Sequence, residues 1–335
     1  MRTIWRLERR STYTQPMLSM GRRQFLVSAA TAAGAIAGGA VAGTASADTP
    51  PSSTGSAVGQ NCTVRYQGYR TEDYAKPYAK YFKTRTDPPQ QGVADAFAGP
   101  PLPAGSIPPF EQIAADLKPS GYSPIEFGYG QRSDGVLFVA VLTTMPRNTA
   151  AMWDWWFGWH SNESAKYKLW HPDAHEYAGL KTDLTSAPIT DRARYVGNIS
   201  YVDEYIGPKL QQLGIAFRDP RSVGLTVPDG HTIIAGRVGS SIAPVDLGWL
   251  AHQVRPVSGG VEMRSRFYLN IRGLHVPDLG QAACAIGRGP AVDPGDLFLG
   301  VDVARNLLLH CGQEMNHLSR FLPELYREFS GARAT

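Results

Sequence analysis

The sequence predicts an α+β fold in which an antiparallel sheet is followed by one long C-terminal helix. Three observations carry this. Runs rich in β-branched and apolar residues recur from about residue 121 onward, beginning with Gly135-Val136-Leu137-Phe138-Val139-Ala140-Val141-Leu142-Thr143-Thr144. Two such runs, 249–257 and 261–271, face each other across the short segment Ser258-Gly259-Gly260. The last long periodic stretch, 297–320, reads as a helix with Val301, Leu307, Leu308 and Met315 as apolar positions, and Pro323 ends or kinks it before a short helical piece reaching Phe329.

The remaining elements follow in order. Residues 74–82 and 109–117 read as short helices, and the Pro-rich 100–109 stretch as an extended linker. Thr149 is an N-cap for a helix over 149–159, with Trp153, Trp156 and Phe157 on one stripe. Further strands are expected at 193–205 and 231–238. No internal repeat is visible.

The first 47 residues read as an export signal rather than part of the fold. Gly21-Arg22-Arg23-Gln24-Phe25-Leu26 is a twin-arginine pattern, followed by an apolar stretch over 27–41 and the small-residue cleavage site Ala45-Ser46-Ala47. The stretch is Ala- and Gly-rich and short for a membrane span, so cleavage and no stable membrane anchor are expected, with an uncleaved anchor as the rival. Met17 and Met20 are alternative starts. Export through the twin-arginine route, to the envelope or beyond, is the expectation. Residues 48–120 form a flexible lead-in and a small N-terminal section, and 121–330 the main domain.

Setting the leader aside changes the charge argument. Of 33 basic and 29 acidic residues, 27 and 28 remain, a net charge of −1. No excess of positive charge is left to attract nucleic acid or anionic lipid. A homo-oligomer is left open. Cys62, Cys284 and Cys311 contain no C-x-x-C pair; Cys62 and Cys284 can bridge outside the cytoplasm, and Cys311 reads as a buried apolar residue.

The chemistry-bearing residues are spread along the chain. His310 and Glu314 stand four apart on the predicted helix and so share a face, a spacing that also occurs in ordinary surface pairs. Trp170-His171-Pro172-Asp173-Ala174-His175 offers an imidazole from His175 or His171, with His160 a more distant candidate. Asp203 and Glu204 point to opposite faces of a strand, so one of them can face a cavity. Two imidazoles and two carboxylates suit Zn²⁺, and such sets also admit Mn²⁺ or Fe²⁺. His310, Glu314 and His317 form an alternative local set. Trp153, Trp155, Trp156, Trp159 and Trp170 read as core ahead of an aromatic-ligand pocket, though such a pocket would use the same residues. There is no strand–GxGxxG–helix context and no G-x-S-x-G elbow, which excludes a dinucleotide loop and disfavours a serine-triad hydrolase.

The wording around these positions adds a family. Met152-Trp153-Asp154-Trp155-Trp156-Phe157-Gly158-Trp159-His160, Tyr167-Lys168-Leu169-Trp170-His171-Pro172-Asp173-Ala174-His175, Tyr195-Val196-Gly197, the 201–207 stretch and His310-Cys311-Gly312-Gln313-Glu314 together resemble the 2,4-diacetylphloroglucinol hydrolase family, which includes phloretin hydrolase. The resemblance covers roughly residues 115–325. It implies a helix-grip (Bet v 1-like) fold, a curved antiparallel sheet around the long C-terminal helix. It implies Zn²⁺ held by His175, Glu204, His310 and Glu314, a substrate-binding Tyr167, and a further His and Tyr that fall on His252 and Tyr268. It also implies an Asn three residues after the first ligand, where this chain has Ala178. A three-residue 258–260 loop sets Val257 opposite Val261 and makes Tyr268 the diagonal neighbour of His252 on one face. The activity implied is hydrolysis of the carbon–carbon bond between a phloroglucinol-type ring and an acyl carbonyl, on a small aromatic ketone. The alternatives are a non-catalytic helix-grip carrier of an aromatic ligand, or a metal-dependent ester or amide hydrolase on the same site.

Overall fold

The computed structural model describes residues 62–290 and 299–331, all within one compact unit that spans Val58–Thr335. The leader and most of the lead-in lie outside the described residues.

Eight strands form one antiparallel sheet: β1 (Gly128–Gln131), β2 (Leu137–Pro146), β3 (His175–Leu180), β4 (Ile199–Ile206), β5 (Lys209–Arg218), β6 (Thr232–Ser240), β7 (Val245–Val257) and β8 (Gly260–Leu274). Their order across the sheet is β1-β2-β8-β7-β6-β5-β4-β3. The helices are α1 (Gln91–Ala98), α2 (Ile113–Asp116), α3 (Ala150–Trp159), α4 (Ser164–Tyr167), α5 (Asp191–Tyr195), α6 (Leu279–Gly287), α7 (Val301–Ser319) and α8 (Leu322–Phe329). The long helix α7 packs on β1 and β2 near one edge and on β4 near the other. One helix about 10 Å wide reaches both ends of such a sheet only if the sheet curves around it. This is the helix-grip arrangement, and none of the described helices is long and apolar enough to cross a membrane.

The expected elements at 135–144, 149–159, 231–238, 249–257, 261–271 and 297–320 correspond to β2, α3, β6, β7, β8 and α7. Thr149 caps α3 by accepting from the Met152 amide. The strand expected from 193 starts later, at Ile199, because Thr190 caps the short α5 by accepting from the Ala193 amide. β1, β3 and β5 are additions.

The sheet separates two cores. On its concave side, α3, α7 and α8 bury Trp153, Trp155, Trp156, Leu308, Cys311 and Met315. Gly158 lets α3 approach α5, since a Cβ there would lie 2.8 Å from the Asp191 carbonyl oxygen. On the convex side, the 107–126 segment covers β2, β7 and β8 with Ile107, Ile113 and Leu117 over Phe138, Ala251 and Tyr268.

That cover is also electrostatic. Arg264 and Arg266 project from β8 and are fully buried. Arg266 Nε donates to Asp116 Oδ2 at 2.6 Å, and its Nη2 to Glu126 Oε2 at 2.9 Å. Arg264 Nη2 donates to Glu126 Oε1 at 2.6 Å. Burial opposes ionisation of Glu126, but the hydrogen bond from Arg264 and the charge of Arg266 outweigh it and hold its carboxyl below the usual range.

Glu126→Gln leaves these guanidinium groups short of a counter-charge and should destabilise the chain by about 3 kcal/mol at neutral pH. Because the folded pKa of Glu126 is depressed, its contribution is present above the unfolded value near ~4.3 and is lost as pH falls through the folded value. Urea unfolding of both proteins checks this: the gap between them should close in acid, and a gap that stays constant would contradict the assignment.

Candidate metal centre

Four donors from three elements converge at one end of the concave side. His175 opens β3 and is the direct cross-strand partner of Glu204 on β4. His310 and Glu314 lie one turn apart on α7, as their spacing predicts. The neighbour of Glu204, Asp203, points to the other face and pairs with Arg288, Nη2 to Oδ1 at 2.8 Å and Nε to Oδ2 at 2.8 Å.

The orientation of His175 is fixed from behind. Its Nδ1 lies 3.0 Å from the Tyr167 backbone carbonyl. A carbonyl only accepts, so Nδ1 carries the proton and the Nε2 lone pair faces inward. That Nε2 is 3.4 Å from His310 Nε2, 3.5 Å from Glu204 Oε2 and 3.5 Å from Glu314 Oε2. His310 Nε2 is 3.7 Å from Glu314 Oε2. A hydrogen bond to the Tyr205 backbone holds His310. Donors of His175, Glu204 and His310 all lie within 4.8 Å of one another.

These spacings can be tested against an ion. Four ligands at about 2.1 Å in a tetrahedron stand roughly 3.4 Å apart, which matches the four distances above. Burial pushes the Glu204 carboxyl up to about 7 and that of Glu314 well above its ordinary range, Glu204 adding to the latter. It pushes His175 and His310 well down, so both imidazoles are neutral. Neutral imidazoles and carboxyls whose negative charge lacks solvent are groups that a dication suits. His175, Glu204 and His310 fit a divalent ion, and Glu314 Oε2 stands beside them, 3.5 Å from His175 Nε2 and 3.7 Å from His310 Nε2.

Around the donors lies a cavity whose apolar wall includes Phe157, Ile215, Phe217, Leu250, Phe267 and Leu307. Its polar lining is Ser161, Ser200, His160 and His252 beside the donors. Tyr167 stacks on His175 with ring centroids 3.6 Å apart and its hydroxyl donates to Glu204 Oε2. His252 is fully buried, and burial pushes its pKa down to about 3. Its Nδ1 meets Ser265 Oγ at 2.8 Å.

Residues 107–327 match the family model described as the DAPG hydrolase PhiG domain. The chain belongs to the DAPG hydrolase family. A 2,4-diacetylphloroglucinol hydrolase of Pseudomonas sp is 32% identical over 268 residues, covering 76% of this chain and 88% of the relative. The enzyme of the same name from Pseudomonas protegens is 31% identical, with 76% and 85% covered. Phloretin hydrolase of Eubacterium ramulus is 27% identical over 270 residues, with 78% and 93% covered. Among solved structures, Ara h 8.0201 overlaps 52% of this chain and 99% of its own at 9% identity and a TM-score of 0.27, too little to add to the fold seen in the sheet and α7.

In this DAPG hydrolase family member, the structure brings Glu204, His310, Glu314, Tyr167 and His252 to one cavity, and His175 meets three of them from behind its wall. Of the sequence rivals, His160 lines the same cavity apart from the donor set, and His171 and His317 are held by other partners. His171 hydrogen-bonds Thr86 Oγ1 at 2.8 Å through Nδ1 and stacks on His310 from outside the set. His317 turns its Nδ1 to Asp87, 3.0 Å from Oδ2.

Tyr268 is a correction. Val257 pairs with Gly260, so the turn is the two residues Ser258-Gly259, with Gly259 at φ +80°. His252 therefore faces Ser265, and Tyr268 faces Trp249. A slip of one residue moves every side chain to the other face. Tyr268 packs against Phe110 and Phe138 in the convex core, and Phe267 takes the cavity position. Ser161 was not foreseen in the sequence; its place directly after His160 in the aromatic run was the available signal.

The Tyr268 hydroxyl is buried without a partner. Tyr268→Phe should leave ion content and turnover unchanged and stability equal or raised by up to about 1 kcal/mol. Thermal unfolding with ion analysis checks this, and a lost ion would return Tyr268 to the site.

Proposed function

We propose that this chain is an exported, zinc-dependent hydrolase that cleaves the carbon–carbon bond between a phloroglucinol-type ring and an acyl carbonyl. One observation carries the reading: a cluster of two imidazoles and two carboxyls a few ångströms apart beside an aromatic-lined cavity, in a chain whose relatives are named for hydrolysis of an acylphloroglucinol and of phloretin. Mn²⁺ and Fe²⁺ are the other ions this donor set admits.

The balance is aryl ketone plus water giving the arene and a carboxylic acid. The oxygen of water ends on the acyl carbon, and a proton ends on the ring carbon that lost the acyl group. An aryl carbanion is a poor leaving group, so protonation of that ring carbon must accompany scission. Ring hydroxyls help by admitting a keto tautomer. When bound, a divalent ion at the four donors supplies Lewis-acid polarisation of the acyl carbonyl. The protein's own residues do the rest. Tyr167, donating to Glu204, orients that carboxylate; the apolar wall holds a planar ring and excludes bulk water. His252 stands in the wall as a neutral imidazole able to take and give the proton moved to the ring.

Export rests on the twin-arginine leader, and the Cys62–Cys284 disulfide supports an oxidising destination. In this reading residues 1–47 are removed, 48–120 form the lead-in and N-terminal section, and 121–330 carry the hydrolase.

In deuterated water, a monoacylphloroglucinol should yield the free acid and a ring labelled at the former acyl position, measured at short times against a no-enzyme control. His310→Ala should lose most of the ion. His252→Ala should keep it and turn over roughly 10²–10⁴-fold more slowly. Tight binding with full ion and no acid released would make the chain a carrier, and cleavage of phenyl esters alone would move the reaction to a C–O bond. For export, replacing Arg22 and Arg23 with Lys should keep the precursor in the cytoplasm; undiminished appearance outside would remove the leader assignment.

A further inference from the structure

His160 and Ser161 follow α3 and are almost wholly buried, 2% and 1% exposed, yet both line the cavity with the metal donors. His160 belongs to a column of rings. It stacks on Trp156 at 4.5 Å and 5° on one side and on Tyr167 at 5.9 Å and 21° on the other, and Tyr167 stacks in turn on His175. Trp170 stands edge-on to His160, at 79°. The imidazole therefore has no freedom to rotate out of its plane.

The protons on this pair follow from its partners. His160 Nδ1 lies 2.7 Å from the Trp156 backbone carbonyl, which can only accept, so Nδ1 carries the hydrogen. Burial pushes the imidazole's pKa down to about 3, against the pull of that carbonyl, so the ring is neutral and Nε2 bears a lone pair. Ser161 Oγ lies 3.1 Å from Nε2 and donates to it. With its only hydrogen committed, Ser161 Oγ has nothing left to offer but lone pairs.

We propose that Ser161, fixed by His160, is a specificity residue that accepts a hydrogen bond from a free phenolic hydroxyl of the substrate ring. This rests on the aromatic-ketone reading of the cavity and adds a polarity to it. The locked chain, in which the hydroxyl donates to the imidazole and the imidazole donates to the carbonyl, selects a ligand group that donates. A free ring hydroxyl satisfies it, whereas a methoxy group at the same place offers no hydrogen and adds a methyl. A buried site built to hydrogen-bond one group discriminates strongly against an analogue that lacks it.

The test measures binding as well as turnover, using quenching of tryptophan fluorescence in the ion-loaded full chain. The probes are a monoacylphloroglucinol and its two mono-O-methyl ethers, ortho and para to the acyl group. Wild type should bind at least one ether roughly tenfold or more weakly than the parent. Ser161→Ala should bring that ratio close to one while ion content stays unchanged. His160→Gln, which keeps an acceptor but not the ring stack, should narrow it partly. A purely structural role for Ser161 would weaken parent and ether alike and keep the ratio. A retained ratio in Ser161→Ala, or equal binding of all three probes by wild type, overturns the proposal. Discriminating binding without acid release would leave this proposal standing and refute the C–C hydrolase reading instead.

Discussion

The structure depends on holding four ionisable groups a few ångströms apart inside an apolar cavity. Burying a bare carboxylate costs several kcal/mol, and two of them near each other cost more. The cost shows in Glu204 and Glu314, whose carboxyls burial pushes upward. No single element supplies the set: β3 and β4 give one donor each and α7 gives two. Only a sheet curved around its own C-terminal helix brings an edge strand and that helix to one point. The grip of the fold is thus the geometry that the site needs.

The edge strand is the weak part of that arrangement, because β3 has a neighbour on one side only. The chain covers it with its N-terminal section. The Tyr66 amide donates to the Glu176 carbonyl, and Arg65 pairs with Glu176 at 3.4 Å. Lys168, fully buried, donates from Nζ to the carbonyls of both Tyr66 and His175. The Cys62–Cys284 disulfide anchors the start of this strap to α6. The backbone carbonyl of His175, the first candidate donor, is therefore tied to a segment more than a hundred residues earlier. The support behind a donor is what sets its aim.

What was legible in the sequence followed from local periodicity. The spacing of His310 and Glu314 and the alternation of Asp203 and Glu204 each fix a face with no tertiary knowledge, and β2, β6, β7 and β8 declare themselves by β-branched runs. The strands that were missed lack that signal. β5 carries Gln211 and Gln212 at buried positions, and Gln212 is satisfied by Asp203 and the Ala285 carbonyl, partners that exist only in the fold. β3 begins on a bulge between His175 and Tyr177, which breaks any two-residue period. The Tyr268 error has another origin. Ser258-Gly259-Gly260 admits a turn of two residues or of three, and the choice inverts both faces of β8. What decides it is contact: Gly260 pairs with Pro146 of β2 as well as Val257, and a Cβ there would sit 2.4 Å from the Met145 carbonyl oxygen.

The polar residues of the cavity divide by what stands behind them. The convex face claims Tyr268, and Phe267 and Ala178 carry no polar side-chain group, so few handles remain to orient a ring against an apolar wall. His160 and His252 are both neutral and fully buried, yet they are not equivalent. A backbone carbonyl backs His160 and allows one tautomer only, which suits a fixed contact and excludes a shuttle. A hydroxyl, Ser265 Oγ, backs His252, and a hydroxyl can donate or accept by rotating its hydrogen. His252 can therefore hold its proton on either nitrogen without losing its partner. An imidazole that must take a proton from one group and deliver it to a ring carbon needs that reversibility. The same cavity thus pairs a histidine whose polarity is locked, as the proposed recognition contact requires, with one whose polarity is free, as the proposed proton transfer requires.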